Sequence, residues 1–360
     1  MRDWLRQTIK AGGPRPVASY MADCLHHPRL GYYAHSKVIG PAGDFTTAPE
    51  ISQIFGELIA VWCILVWRQL ASPERLRIVE LGPGRGTLMA DLLRGLRIEP
   101  DLRDTLEVTL VEISEPLIAA QKQTLAGIGV AITWRRDLTP FDGPTIVIAN
   151  EFLDALPVRQ FVRRSGHWCE RCVGLDRHAN LCFVAGKPCD IDRGDTCLPT
   201  GVFEGDILES RWAALTDGRK ALAPRLAEIA HKHPLVALFI DYGYEGPRTG
   251  DTFQAVRAHR SESTLAHPGR ADLTAHVDFT EFSHAMRAAG LALDGPISQA
   301  AFLAGLGIET RWQKLSATAA PHQINTLETG VARLMAPAGM GTRFKAVVAR
   351  SPGVALPAPF

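Results

Sequence analysis

The 360-residue sequence lacks a long apolar run, an excess of one charge and an amino-terminal signal core. Its longest apolar helical stretch, 54–67, contains Glu57 and is shorter than the roughly 20 residues that a bilayer span needs. Lysine and arginine number 39 against 38 acidic residues, which disfavours a general nucleic-acid binder and an electrostatic membrane binder. We therefore expect a cytoplasmic protein with no membrane insertion, or a mitochondrial matrix protein only if a transit peptide is missing from this chain.

Cysteines are few and odd in number, which favours reduced thiols over a disulfide framework. Five of the seven are clustered in the sequence, namely Cys169, Cys172, Cys182, Cys189 and Cys197. A CxxC pair followed by further cysteines could hold zinc. The first two lie in HWCERCVGL, a predicted strand in which residues three apart face opposite sides. Because no glycine-bearing turn follows them, we expect structural thiols and no metal.

Short apolar runs separated by helical patterns begin at Arg77 and are typical of a parallel sheet covered on both faces. Strands are predicted at 77–81, 107–113, 145–150, 235–243 and 343–350. Helices are predicted at 2–11, after Pro14 and Pro16, and at 51–70, 87–96, 115–125, 219–232, 279–289, 298–305 and 322–335.

Residues 158–200 alternate in the manner of short antiparallel strands and interrupt the parallel pattern. The expected fold class is α/β, with four segments along the chain. They are a helical cap with a lid-like loop (1–72), a cofactor-binding half-sheet (73–160), an inserted β-containing substrate region (161–233) and the rest of the sheet with inserted helices (234–360).

The strongest chemical signal is RIVELGPGRGTLMADLL, in which a strand runs into a glycine-rich turn and then a helix. The strand ends near Glu80, the turn contains Gly82, Gly84 and Gly86, and the helix begins at Thr87. Glycines allow a sharp turn and close approach of a ligand, and the free N–H groups at a helix start attract polar or anionic groups. Such a turn alone is weak evidence, because glycine there can also serve packing.

The next strand adds Glu112, followed by Ile113, at its carboxyl end, where an acidic residue can accept both hydroxyls of a ribose. The glycine spacing is GxGxG, so Thr87 stands where a dinucleotide-binding loop has its third glycine. This spacing disfavours a nicotinamide-dependent oxidoreductase and fits a ligand without a pyrophosphate. S-adenosylmethionine is such a ligand, with an adenine, a ribose and a charged amino-acid tail.

Two further clusters follow the strands of this predicted half-sheet. In WRRDLTPF, Asp137 could read an adenine amino group with Leu138 beside the ring, or could be a solvated loop carboxylate. In ANEFLDALP, Asn150, Glu151 and Asp154 could meet a substrate beside the cofactor, or could cap a new helix.

At these residues the sequence resembles the MidA-type family of class I S-adenosylmethionine-dependent methyltransferases. The resemblance covers nearly the whole chain, and the motifs that carry it are LGPGRGTLMADLLR, LVEISEPLIAAQ, ANEFLDALPVRQF, GDFTTAPEISQIFGE, FIDYG, PGRADLTAHVDF and GTRFKAVV. The resemblance implies a seven-stranded, mostly parallel Rossmann-like sheet and symmetric dimethylation of an arginine. That family includes a mitochondrial arginine methyltransferase that assists assembly of respiratory complex I, and the implied substrate is a quinone-proximal subunit of NADH:ubiquinone oxidoreductase. Carried over by motif, the cofactor residues would be Glu80, Gly82, Gly84, Gly86, Glu112, Asp137 and Asn150.

For arginine methylation, the predicted catalytic residues are carboxylates that could hold a guanidinium by two N–H bonds. Glu151 and Asp154 are the first candidates, and Glu50 and Asp44 of the amino-terminal loop are the second. His276 and Asp278 could relay a proton, although a structural or surface role is the more common one for such a histidine. The loop GDFTTAPE could be a lid or a turn that caps the following helix. The alternative to an enzyme is a cofactor-binding assembly chaperone without turnover.

Overall fold

The computed structural model describes residues 1–35, 46–192, 194, 198–218 and 221–360. The described residues form two compact units. We call the first the accessory unit, drawn from Met1–Phe45, Asp154–Ala221 and Tyr244–Ala285, and the second the sheet unit, Thr46–Leu153, Leu222–Gly243 and Met286–Phe360.

Seven strands of the sheet unit form one sheet, and we number them in chain order. They are β1 Leu76–Leu81, β2 Leu106–Val111, β3 Ile132–Arg135, β4 Thr145–Asn150, β5 Leu235–Tyr244, β6 Ala292–Ser298 and β7 Phe344–Arg350. The spatial order is β6-β7-β5-β4-β1-β2-β3. Strands β1 to β5 pair in parallel, and β7 runs antiparallel to both β5 and β6. The expected α/β class with a mostly parallel sheet is confirmed.

Burial explains why the central strands are almost entirely apolar. In β4 every residue before Asn150 is buried, and β5 is buried from Leu235 to Asp241. Such burial is typical of central parallel strands whose two faces are covered by helices. The helices of the sheet unit are Ala48–Ile51, Gln53–Gln69, Thr87–Gly95, Pro100–Asp104, Glu115–Thr124, Leu222–Lys232, Gln299–Gly305, Ile308–Ser316 and Pro321–Met335, with a 3-10 turn at Leu96–Ile98.

The accessory unit contains two small antiparallel sheets. One has five strands, Arg15–Pro16, Arg159–Arg164, His167–Leu175, Leu181–Pro188 and Ile207–Ser210, and the other has three, Gln254–Arg257, Arg260–Glu262 and Asp272–Thr274. A short strand lies at Val277–Asp278. The helices are Arg2–Gly12, Val17–His26 and Trp212–Thr216, a 3-10 turn lies at Tyr32–Ala34, and Phe279–Ala288 begins in this unit.

The predicted cap at 1–72 is divided between the two units. The first two helices bury Leu5 and Met21 in the core of the accessory unit, whereas the helix Gln53–Gln69 buries Phe55 and Trp62 in the core of the sheet unit. This helix also begins later than the predicted residue 51, since Ser52 breaks the pattern and its hydroxyl accepts the Ile54 N–H as the N-cap. The strands predicted within 158–200 are confirmed.

Within the described residues, none of the helices is long and apolar enough to cross a membrane. Across the same residues, no three His, Cys, Asp or Glu side chains are grouped to hold a metal. Cys169 and Cys172 are buried in the strand His167–Leu175, whereas Cys182 and Cys189 are partly exposed. Cys197 lies outside the described residues.

Candidate active site

The glycine-rich turn joins β1 to the helix Thr87–Gly95, as the sequence predicts. Gly82, Gly84 and Gly86 all have φ in the left-handed region, at 61°, 54° and 83°. Gly86 is the N-cap of the helix and has no side chain to satisfy the first N–H groups. Those donors are therefore left for a ligand or for solvent.

Close packing is the second reason for glycine in this turn. A Cβ at Gly82 would lie 3.0 Å from the Phe152 ring, and one at Gly86 would lie 3.4 Å from Gln121 Cγ. The left-handed backbone and the crowding both disfavour larger residues. The turn thus approaches the segment after β4 and the helix Glu115–Thr124.

Glu80 is buried in the centre of the sheet unit, between Leu110 of β2 and Ile148 of β4 in the strand register. Its side-chain oxygen Oε2 has no hydrogen-bond partner among the described residues. Burial raises the pKa of Glu80 to about 8, because the charged carboxylate loses its solvent there. A buried carboxyl with an unpaired oxygen is the kind of group that a cationic ligand stabilises.

Asn150 and Glu151 lie at the carboxyl end of β4, beside β1. Asn150 Oδ1 is also buried without a hydrogen-bond partner within the described chain, while its Nδ2 donates to Glu151 Oε1 at 3.2 Å. The same Glu151 oxygen accepts the Ala48 N–H at 2.9 Å. Glu151 has φ 51°, a conformation that is strained for a non-glycine residue and clusters at functional sites.

Glu112 directly follows β2, and the residues that come next in the chain hold its carboxylate. Its Oε1 accepts the N–H groups of Ile113 and Ser114, each at 2.8 Å, and its Oε2 accepts Gln121 Nε2 at 3.3 Å. Burial raises the pKa of Glu112, and these hydrogen bonds lower it again in part. The next residue, Ile113, is 45% exposed, which is unusual for a large apolar side chain. An adenine ring could cover it.

The two residues predicted to read adenine lie in the turn after β3. Leu138 is buried and Asp137 is exposed. Both interpretations of Asp137, as an adenine-reading carboxylate and as a solvated one, therefore stay open.

Glu50 connects the short helix Ala48–Ile51 to the glycine-rich turn. Its Oε1 accepts a hydrogen bond from Thr87 Oγ1 at 2.5 Å, and its Oε2 lies 3.9 Å from the Arg85 guanidinium. Asp44 and the first residues of the predicted lid lie outside the described residues. Thr47 is the N-cap residue of the short helix Ala48–Ile51 without a side-chain cap bond, whereas the long helix that follows is capped by Ser52.

The remaining predicted residues belong to the accessory unit, and Arg211 organises them. Its guanidinium NH2 group donates to the backbone oxygens of Asp154 and Ala275, at 3.1 and 2.7 Å, and NH1 donates to that of His276 at 2.6 Å. The Asp154 and Asp278 side chains are buried. Asp278 Oδ1 accepts N–H groups at the start of the helix Phe279–Ala288, which is a capping role.

Sequence reasoning missed Asp241, the buried residue near the end of β5. Its Oδ2 accepts the N–H groups of Phe152 and Leu153 at 3.1 and 2.8 Å, and its Oδ1 accepts the Tyr242 N–H at 2.9 Å. Asp241 thus fixes the turn that follows Glu151. The signal was present in FIDYG, where one acidic residue interrupts an apolar strand.

The comparisons with known proteins agree with this geometry. A family model described as an S-adenosyl-L-methionine-dependent methyltransferase matches residues 58–297. The chain belongs to this family. Its mostly parallel sheet and the motifs around the glycine-rich turn, with Glu80 in β1 and Glu112 directly after β2, agree with the MidA-type resemblance.

Proteins from several animal species match this methyltransferase over most of its length. The Xenopus laevis and Homo sapiens proteins named "Protein arginine methyltransferase NDUFAF7, mitochondrial" are each 35% identical, covering 94% of this chain and 81% of theirs. The Drosophila melanogaster homolog is 35% identical, covering 97% of this chain and 84% of its own. All three names carry the word mitochondrial, so they lend no support to the expected cytoplasmic location.

A solved structure shows the ligand of a similar protein. It is a Burkholderia thailandensis protein bound to S-adenosyl-homocysteine, with a TM-score of 0.82, 30% identity, and coverage of 98% of this chain and 92% of that one. The cofactor of this family is S-adenosylmethionine. The residues present fit it, since the unpaired buried oxygen of Glu80 can accept a cationic amino group and Gly86 leaves the first N–H groups of the following helix without a side-chain cap.

Proposed function

We propose that this methyltransferase transfers methyl groups to an arginine of a protein substrate. The observation that carries the proposal is the 35% identity, over 94% of the chain, to proteins named as protein arginine methyltransferases. The MidA-type resemblance further suggests a subunit of respiratory complex I as the substrate.

The cofactor roles follow from the chemistry of each side chain. Glu80 accepts the ammonium of the amino-acid tail, since its carboxyl is buried and has an unpaired oxygen. Glu112 accepts the ribose hydroxyls and Ile113 covers the adenine, with Asp137 and Leu138 at its edge. The N–H groups after Gly86 and Thr87 line the turn, and Asn150 Oδ1 faces the ligand's polar tail.

The difficulty of arginine methylation lies in the nucleophile. A guanidinium has a pKa of about 12.5–13.8, so removing its proton at pH 7 costs roughly 7.5–9 kcal/mol. A carboxylate of ordinary pKa does not remove that proton beforehand. It can instead hold the planar fork by two N–H bonds, direct one nitrogen at the methyl group and accept the proton as positive charge develops.

We assign this role to Glu151. Its Oε1 is fixed by the Ala48 N–H and by Asn150 Nδ2, so the carboxylate is oriented before a substrate arrives. Orientation of this kind supplies about 7–11 kcal/mol in well-aligned reactions. Asp154, Glu50 and His276 stay as further candidates for holding the cation or relaying its proton.

S-adenosylmethionine, when bound, supplies a methyl group on a sulfonium with a good leaving group. The protein residues do the rest: Glu80 holds the ligand's amino-acid tail, Glu112 holds its ribose, and Glu151 holds the guanidinium and takes its proton. The Phe152 ring packs beside Gly82 of the turn. The chemistry therefore depends mainly on alignment and on one carboxylate.

The test is Glu151→Gln, which keeps the shape of the side chain and removes its charge. We expect turnover on a protein substrate to fall about 100-fold or more, while S-adenosylhomocysteine affinity measured by calorimetry changes less than threefold. The matched control is Glu115→Gln, since Glu115 lies on the same unit, is exposed and pairs with Arg136. Retained turnover in the Glu151 variant would remove this residue from the mechanism.

The substrate is tested by mass spectrometry of complex I subunits from cells with and without this gene. We expect a dimethylated arginine that disappears without the gene and returns with the wild-type chain but not with the Glu151→Gln variant. Assembly restored equally by both, with no methylarginine in either, would favour the non-catalytic assembly factor. Cell fractionation decides between the cytoplasmic location that the sequence predicts and the mitochondrial one of the relatives.

A further inference from the structure

Arg211 is a buried arginine whose guanidinium binds backbone carbonyls. It lies directly after the strand Ile207–Ser210 and is 4% exposed. Besides its bonds to Asp154, Ala275 and His276, its Nε donates to the Leu156 oxygen at 3.2 Å. One side chain therefore joins two chain segments, 154–156 and 275–276, that are more than a hundred residues apart.

The backbone at Ser210 and Arg211 is itself held by Glu281. The Arg211 N–H donates to Glu281 Oε2 at 2.7 Å, and Ser210 Oγ donates to Glu281 Oε1 at 2.5 Å. Ala275 N–H also donates to the Asp154 oxygen at 3.2 Å, so the two segments contact each other directly. Glu281 thus fixes the backbone from which the Arg211 side chain reaches these carbonyls.

A second series of hydrogen bonds also holds the backbone at His276. His276 N–H donates to Thr252 Oγ1 at 2.9 Å, and the Thr252 hydroxyl donates to buried Glu209. Glu209 also accepts Gln160 Nε2 at 2.7 Å and the Thr252 N–H at 3.1 Å. The backbone at His276 is therefore held from two directions. Rigid support of this kind is what holds a reacting side chain within the tolerance that catalysis needs, since a misplacement of about 1 Å can cost 100-fold.

We propose that Arg211 is a positioning residue, which sets the backbone of Asp154 and His276, two candidates for holding the substrate or relaying its proton. This rests on the proposed function for the roles of Asp154 and His276. The planar fork matters as well as the charge, because a guanidinium reaches four carbonyls at fixed angles and an ammonium has only three donors on one atom.

The first experiment is hydrogen exchange, which needs no turnover. In Arg211→Lys, the amides of Ala275 and His276 should exchange at least tenfold faster than in the wild-type chain. The amides of Phe152 and Leu153, which donate to Asp241, are the internal control and should keep their rates. Unchanged exchange at Ala275 and His276 would overturn the positioning role, whether or not the chain methylates arginine.

The second experiment is kinetic. We expect Arg211→Lys to lower kcat on the protein substrate 10- to 100-fold while S-adenosylhomocysteine affinity stays within twofold. Guanidinium chloride at millimolar concentration should restore part of the kcat of Arg211→Ala. The matched control is Arg159→Met, which breaks the ion pair with Glu170 in the same small sheet and should keep wild-type kcat.

The experiments distinguish a failure of the proposed function from a failure of the positioning role of Arg211. A wild-type chain that transfers no methyl group to arginine contradicts the proposed function, and the exchange rates still decide the role of Arg211. Wild-type kcat in Arg211→Lys contradicts the positioning role alone. Thr252→Val is the substitute if both Arg211 variants fail to fold, because it removes the hydroxyl that accepts the His276 N–H. It should show the same fast exchange at His276 and the same loss of kcat. If it shows neither, the proposal is wrong.

Discussion

Protonation of Glu80 gives a sharp prediction about cofactor binding. With a pKa of about 8, Glu80 is about 97% protonated at pH 6.5 in the free protein, because burial disfavours its charged form. An ammonium placed beside it favours the carboxylate, so binding of S-adenosylhomocysteine should release a proton. At pH 6.5 we expect nearly one proton per binding event, and at pH 9 only about a tenth of one.

Calorimetry measures this release directly. Binding enthalpies are recorded in several buffers of different ionisation enthalpy, and their slope gives the number of protons transferred. Glu80→Gln removes the titrating group, so the slope at pH 6.5 should fall by nearly one proton. Glu112→Gln is the matched control, since this carboxyl is also buried but already accepts three hydrogen bonds. An equal slope for the wild-type and Glu80→Gln proteins would refute the assignment of Glu80 to the ligand's ammonium.

The same burial predicts how the stability of the unliganded protein depends on pH. The pKa of Glu80 is raised from 4.5 in the unfolded chain to about 8 when folded, so ionisation favours the unfolded state. The stabilisation is complete below about pH 4.5 and is lost as the pH rises through about 8. The loss amounts to at most about 5 kcal/mol. Urea unfolding should therefore show Glu80→Gln to be more stable than the wild-type chain at pH 8.5, with no such difference at pH 4.5.

Three further variants test the geometry of the site. Gly82→Ala should weaken S-adenosylhomocysteine binding at least tenfold, because its Cβ would meet the Phe152 ring. Gly127, whose φ is also positive, has open space around it, so Gly127→Ala should keep wild-type affinity. Asp241→Asn should cost about 1–3 kcal/mol in urea unfolding and lower turnover, since an amide nitrogen would face an N–H donor; wild-type stability would contradict this. Gln121→Ala removes the bridge from Gly84 to Glu112, and calorimetry should show several-fold weaker ligand binding, a result that unchanged affinity would exclude.

The sequence was sufficient to predict the positions of those candidate site residues that lie at the ends of strands. Glu80, Glu112 and Asn150 are polar residues at the ends of apolar strands, and parallel strands bring their carboxyl ends to one edge of a sheet. The glycine-rich turn was predictable for the same reason. The roles of these residues remain predictions, while the fold class and the family are shown.

Long-range contacts could not be predicted from sequence patterns. Asp241 is about 90 residues from the N–H groups it accepts, and Arg211 binds carbonyl oxygens, which every residue possesses and which leave no signature. The helix Ile308–Ser316 was missed because Ile308 is its only buried residue, so the apolar periodicity is weak. The strained φ of Glu151 depends on contacts with Ala48 and β5 rather than on its own residue type.

The most direct test is a crystal structure of this chain with S-adenosylhomocysteine. The ligand's ammonium should lie within hydrogen-bond distance of Glu80, and both ribose hydroxyls should lie within that distance of Glu112. A ligand bound elsewhere, or bound in this turn with neither carboxylate in contact, would contradict the central assignment.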